Sequence, residues 1–119
     1  NTNQCWVAGF SFGALLCMQL LMRRPEITRF ISVSPQPNLY DFNFLAPCPA
    51  SGLIVQGKKD EMVAPEETAR LAEKLKSQKN ITVDYEEISG ANHFYDNEQD
   101  RLEKVVRKYI ERELNSKYR

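Results

Sequence analysis

Between Gln4 and Arg24 a short apolar run passes through a tight, glycine-flanked turn directly into an apolar stretch of helical spacing. Gln4 to Ala8 (QCWVA) is rich in β-formers and reads as a buried strand. Gly9-Phe10-Ser11-Phe12-Gly13 follows, and Ala14 to Arg24 then reads as a helix stopped by Pro25. A strand that turns straight into a helix cannot form a hairpin. It starts a βα unit instead, and the rest of the chain has to be compatible with that beginning.

The remaining segments continue the alternation. Arg29 to Ser34 (RFISVS) reads as a second buried strand. Ser34 to Pro49 holds four of the six prolines and reads as a loop, with a short helical turn expected within Leu39–Leu45. Gly52 to Gln56 (GLIVQ) is a third apolar strand, ending in the polar loop Gly57-Lys58-Lys59-Asp60-Glu61. Pro65 suits the first turn of a helix, Glu66 and Glu67 suit its positive end, and Ala69, Leu71, Ala72 and Leu75 form an inner stripe. Ile81 to Ile88 (ITVDYEEI) carries acidic residues in a β-rich run, as an edge strand does. Ser89 to Tyr95 is a loop. A last helix is expected from about Asn97 to Leu114, with Leu102, Val105, Val106, Tyr109 and Ile110 at helical spacing and supportive pairs Asp100–Lys104 and Glu103–Arg107. Strands alternating with helices predict an α/β fold: a mainly parallel sheet with helices on both faces.

Composition narrows the function classes. Sixteen basic residues balance 16 acidic ones, so no basic excess points to nucleic acid. The apolar run Ala14–Met22 is interrupted by Gln19 and falls far short of the roughly 20 residues a membrane span requires; it reads as a buried helix. Cys5, Cys17 and Cys48 show no metal-like spacing, and reduced thiols of a cytoplasmic protein are the expectation. The chain of 119 residues reads as one domain, and its start at Asn1, immediately before a strand, reads as a cut.

Three residues stand just past the carboxyl ends of strands, where parallel sheets gather their chemistry. Ser11 is the centre of G-x-S-x-G. Gly9 and Gly13 let strand and helix approach, the serine hydroxyl projects above the sheet, and the Phe12 N–H at the helix start is a donor for an oxyanion. His93 is the one histidine in the chain and lies in a loop that can bring a base to the serine. Asp60 can accept from the histidine and fix its tautomer, with Glu61 and Asp41 as alternative acids. The order Ser11, Asp60, His93 matches one of the known serine-hydrolase chain orders. Cys17 and Cys5 lie in a helix and a strand and read as packing. Phe10, Phe12, Phe94 and Tyr95 read equally as the lining of an acyl pocket or as core.

The segments GFSFGA, LIVQGKKDEMVAP and GANHFY together resemble the α/β-hydrolase superfamily, over nearly the whole chain. YDFNFLAPCP resembles small lidless bacterial members near the dienelactone hydrolases and serine aminopeptidase-like enzymes. Dienelactone hydrolases carry cysteine at the elbow, whereas Ser11 here favours an esterase- or peptidase-like hydrolase. The resemblance implies Ser11 as nucleophile, His93 as base and Asp60 as acid, a small ester or acyl substrate, and no metal or organic cofactor. Family members also carry further strands before the elbow strand, and one of those loops supplies a second oxyanion donor. Without them the elbow strand has an unpaired apolar edge, through which the chain is expected to self-associate.

Overall fold

The structure is a computed structural model and describes residues 4–116. Four strands and three α-helices follow one another as β1 (Trp6–Phe10), α1 (Phe12–Arg23), β2 (Arg29–Val33), β3 (Ser51–Gly57), α2 (Pro65–Lys76), β4 (Val83–Ile88) and α3 (Gln99–Ser116). A single 3-10 turn, Asn43–Leu45, interrupts the proline-rich connection between β2 and β3. The strands form one all-parallel sheet in the order β1-β2-β3-β4, in register Ala8 to Ile31, Ile31 to Leu53 and Leu53 to Asp84.

Side-chain alternation explains why the middles of β2 and β3 carry apolar residues on both faces. Phe30 and Ile54 point to one face, where Leu15, Met18 and Leu21 of α1 and Leu71, Ala72 and Leu75 of α2 cover them. Ile31, Val33, Leu53 and Val55 point to the other, where Tyr109 and the partly buried Leu102, Val105, Val106 and Ile110 of α3 cover them. A strand buried on both faces has no polar side to show, so the period-2 pattern disappears. The helices obey the local rules. Pro65 opens α2, whose missing N–H would have no intrahelical acceptor anyway. Glu66 and Glu67 then stand at its positive end and Lys74 and Lys76 at its negative end. Arg29 ties α3 to the sheet through the Tyr109 hydroxyl at 3.1 Å and Glu113 at 2.9 Å.

Several expectations need correction. β1 begins at Trp6 rather than Gln4 and runs through Gly9 to Phe10, because its pairing with β2 is set by the Trp6–Arg29 register. β4 begins at Val83, the first residue in register with β3, opposite Gly52. The helical turn is confined to Asn43–Leu45, and α3 starts at Gln99. Of the two α3 pairs, Glu103–Arg107 forms and Asp100 with Lys104 does not. Helix α1 is not buried all round: Ala14, Leu15, Met18 and Leu21 face the sheet, while Phe12, Leu16 and Leu20 are exposed. The reason is its position. Helix α1 lies over β1, and β1 is an edge strand among the described residues, so nothing described here covers the outer side of either.

Gly52 is one place where the core tolerates no side chain. A Cβ there would lie 2.4–2.5 Å from the ring of Phe30, itself fully buried. Gly52→Ala therefore forces the ring off its seat and should destabilise the fold by about 1–3 kcal/mol, read as a lower urea midpoint with an unchanged slope.

Candidate active site

The segment joining β1 to α1 is strained at one residue. Ser11 has φ 59° and ψ −121°, a conformation that L-residues other than glycine seldom adopt. Two backbone bonds hold it there: the Ser11 N–H donates to the Val33 carbonyl at 2.8 Å, and the Ser11 carbonyl accepts from the Ala14 N–H at 3.0 Å. The turn is tight because Gly9 lacks a side chain. A Cβ at Gly9 would sit 2.3 Å from the Gly13 carbonyl oxygen and 2.8 Å from the Ala14 nitrogen. Gly13 is different from expectation, since a Cβ there meets nothing within 4 Å. Closeness of strand and helix thus depends on Gly9, and Gly13 plays no such part among the described residues.

Asp60 and His93 come from two loops laced to one another. The Lys58 N–H donates to the Ile88 carbonyl at 3.0 Å and the Lys59 N–H to the Ala91 carbonyl at 2.9 Å. Gly57 allows this approach, because a Cβ on it would lie 2.5 Å from the Ala91 oxygen. The histidine loop is shaped by Asn92, whose Oδ1 accepts from the N–H groups of Phe94 at 3.1 Å and Asp96 at 3.0 Å. Tyr95 is held at φ 57° and is buried, with its hydroxyl against Ser34 Oγ at 3.2 Å. Burial pushes the Tyr95 hydroxyl up to about 12, so it stays a neutral phenol at any ordinary pH.

The three side chains meet in one line of hydrogen bonds. Ser11 Oγ lies 2.9 Å from His93 Nε2, and His93 Nδ1 lies 2.7 Å from Asp60 Oδ2. An ionised Asp60 can only accept, which assigns the ring hydrogen to Nδ1 and leaves Nε2 to accept from the serine hydroxyl. The imidazole and the carboxylate are both fully buried, whereas Ser11 remains partly open to solvent. The other carboxylate oxygen, Oδ1, accepts from the N–H groups of Met62 and Val63, both at 2.8 Å. The alternative acids do not compete: Glu61 is exposed, and Asp41 is exposed and accepts from the Asn43 N–H at 2.8 Å at the start of the 3-10 turn. Phe12 is the first residue of α1, and Ser11 gives that helix no side-chain cap. Its N–H has no intrahelical acceptor and belongs to the positive end of the helix, beside the serine hydroxyl.

Cys17 and Cys48 are placed as packing groups, whereas Cys5, expected to pack within its strand, is exposed ahead of β1. Cys17 Sγ lies 3.2 Å from the Ala8 carbonyl and Cys48 Sγ 3.4 Å from that of Ala50. Burial raises both above the usual thiol range, which keeps them protonated. The aromatic residues divide. Tyr95 is core, while Phe10 and Phe94 are exposed and pack against the imidazole, Phe10 tilted with its centroid 5.3 Å away and Phe94 edge-on at 5.0 Å. Phe12 meets Tyr40 at a tilt, their centroids 5.5 Å apart. A groove of about 300 Å³ between the 3-10 turn and α2 is lined by Phe42, Leu45, Pro47 and Leu71 and contains none of the three residues. No group of His, Cys, Asp and Glu side chains among the described residues could hold a metal ion, and no described helix is long and apolar enough to cross a membrane.

Two buried side chains that carry no motif belong to this site as well. Gln56 Nε2 donates to Asp60 Oδ2 at 3.0 Å, and Thr68 Oγ1 donates to Gln56 Oε1 at 2.8 Å. A glutamine at the end of an otherwise apolar buried strand was the available signal for the first; the threonine offers none on its own.

A parallel sheet with helices on both faces and a serine elbow at the end of β1 define an α/β-hydrolase fold. Residues 28–116 match the profile of the prolyl oligopeptidase family, and the chain belongs to that family. It is 51% identical to a putative α/β-hydrolase of unknown function from Agrobacterium tumefaciens, with a TM-score of 0.94 over 97% of this chain and 53% of that one. An α/β serine hydrolase homologue from Coxiella burnetii is 30% identical, with a TM-score of 0.77 over 88% of this chain and 48% of that one. An uncharacterized protein from Rickettsia prowazekii is 42% identical over 92% of this chain and 48% of its own length. The chain thus spans about half the length of these relatives.

Gly9→Ala tests the geometry of the elbow. The new Cβ must push α1 away from β1, which should cost about 1–3 kcal/mol of stability. It also displaces Ser11 from His93, so the rate of serine labelling by a fluorophosphonate should fall by at least about tenfold. Chemical denaturation and labelling kinetics on the same sample measure both.

Proposed function

We propose that the protein is a serine hydrolase of carboxylic esters or related acyl compounds, in which Ser11, His93 and Asp60 act as nucleophile, general base and orienting acid. The observation that carries this reading is the unbroken hydrogen-bonded line from Ser11 Oγ through His93 to Asp60. In the reaction, Ser11 Oγ attacks the substrate carbonyl while His93 Nε2 takes its proton. Asp60, beside Nδ1, stabilises the imidazolium that results. The oxygen that gains charge is met by the Phe12 N–H at the head of α1. Collapse of the tetrahedral intermediate expels the alcohol or amine, which receives the proton from His93. Water, deprotonated by the same imidazole, then releases the acid from Ser11. Every proton that leaves a nucleophile is returned to a leaving group, so neither a metal nor an organic cofactor enters the sequence. Membership of the prolyl oligopeptidase family and likeness to α/β serine hydrolases support the same class of chemistry.

A second reading concerns the 119-residue chain on its own: a catalytically silent unit that pairs with a second copy through β1. The outer edge of β1 and the exposed Phe12, Leu16 and Leu20 of α1 favour it. Size-exclusion chromatography with p-nitrophenyl ester turnover separates the two, since a monomer with clear turnover contradicts the second reading.

Treated with a fluorophosphonate, the natural full-length protein should gain one adduct, located by mass spectrometry on Ser11, and Ser11→Ala should gain none. An adduct elsewhere, or none on Ser11, contradicts the assignment. Asp60→Asn keeps the shape of the acid but offers an amide to Nδ1, which selects the wrong tautomer. It should lower kcat for a p-nitrophenyl ester on the order of 10⁴-fold.

A further inference from the structure

Asp60 has four acceptor positions, and the described structure fills all of them. Met62 and Val63 N–H groups take Oδ1, and His93 Nδ1–H shares Oδ2 with an amide hydrogen of Gln56. Among the described residues Gln56 is the one side chain other than His93 hydrogen-bonded to the carboxylate, and it donates to the same oxygen as the imidazole. Gln56 is itself locked. Its second amide hydrogen donates to the Gly57 carbonyl at 3.0 Å, and its Oε1 accepts from Thr68 Oγ1 at 2.8 Å. Both side chains are wholly buried, in the interior between β3 and α2.

This arrangement leaves the amide one orientation. Rotated by half a turn, Gln56 would aim its oxygen at two other oxygens, those of Asp60 and Gly57, in a fully buried site. Thr68 reinforces the choice by requiring an acceptor for its hydroxyl hydrogen. We infer that Gln56 and Thr68 are positioning residues for the reaction: Thr68 fixes the amide of Gln56, and Gln56 fixes the plane of the Asp60 carboxylate so that Oδ2 faces His93 Nδ1. The inference rests on the serine-hydrolase reading above and extends its machinery to helix α2, which supplies no reacting atom. Among the described residues no hydrogen bond joins either side chain to Ser11 or His93, and the hydrogen-bonded route to the site runs through Asp60.

A buried hydrogen bond can also serve stability alone, and a pair of apolar replacements tells the roles apart. Thr68→Val leaves the Gln56 oxygen without a donor, and Gln56→Met leaves Thr68 and Asp60 each short of one partner; each single change should destabilise the fold. Thr68→Val with Gln56→Met together removes the unpaired Thr68 hydroxyl and Gln56 oxygen and so recovers the part of the loss those two groups cause, while Asp60 Oδ2 and the Gly57 carbonyl still lack their Gln56 donor. Activity should behave differently. In the natural full-length protein, with a p-nitrophenyl ester, Thr68→Val and Gln56→Met should each lower kcat by about tenfold with KM within twofold. The double variant should stay as slow as Gln56→Met although its melting temperature lies above that of Gln56→Met, and Thr68→Ser, which keeps the hydroxyl, should return kcat to within about threefold of the parent. Recovery of kcat in step with melting temperature in the double variant would overturn the positioning role, as would unchanged kcat in both single variants. If either single variant fails to fold, Thr68→Ser and the double variant still give the comparison. Labelling of Ser11 in the parent distinguishes the two levels: where Ser11 takes the phosphonate and the variants do not slow it, the positioning role alone fails, and where Ser11 takes none, the underlying reading fails and this inference with it.

Discussion

The imidazole of His93 sits in the interior with a partner on each nitrogen, Ser11 Oγ on one side and Asp60 Oδ2 on the other. A buried polar ring left short of a partner costs roughly 1–3 kcal/mol, more if the group left behind is a charge. The loops around His93 are therefore committed to delivering those partners, and most irregular features of the chain are explained by that demand. Ser11 is held in a left-handed conformation, as are Tyr95 and Asn97 on the histidine loop. Such residues persist only where their surroundings over-determine them. Here the surroundings are the Val33 carbonyl at the end of β2, the Asn92 side chain, and the Ser34–Tyr95 contact.

The sheet makes this convergence inexpensive. All four strands run the same way, so the ends of β1, β3 and β4 lie along one rim. Ser11, Asp60 and His93 leave from those three ends. Two glycines close the remaining distances. Gly9 brings α1 down onto β1, which turns the positive end of that helix toward the serine. Gly57 brings the Asp60 loop against the carbonyls that precede His93. A side chain at either position would separate groups that must stay within hydrogen-bonding reach.

Much of this is written locally in the sequence, and the portions that are not have identifiable causes. The βα alternation, the parallel sheet and the three residues past the strand ends follow from short-range patterns: apolar runs of strand length, prolines at helix boundaries, and one G-x-S-x-G. Strand ends are less legible because they are set by pairing, so β1 shifts toward Phe10 and β4 shortens to Val83–Ile88. Helix α1 is apolar all round in sequence, yet only one side of it packs, since burial depends on what lies next to β1 rather than on the helix. Gly13 looks equivalent to Gly9 in the motif, but only a three-dimensional approach tells them apart. Gln56 and Thr68 are twelve residues apart and share no motif; their contact exists only because α2 folds back over β3.

The account stands on the placement of one proton. With Asp60 accepting from Nδ1, the neutral ring of His93 must carry its hydrogen there and present a bare Nε2 to the serine hydroxyl. Nitrogen NMR of histidine-labelled protein at mildly alkaline pH reads this tautomer directly, and His93 is the single histidine of the chain. The account predicts a protonated Nδ1 and an unprotonated Nε2, a pattern that Asp60→Asn reverses. A parent ring with its hydrogen on Nε2, or one exchanging freely between both nitrogens, would contradict it.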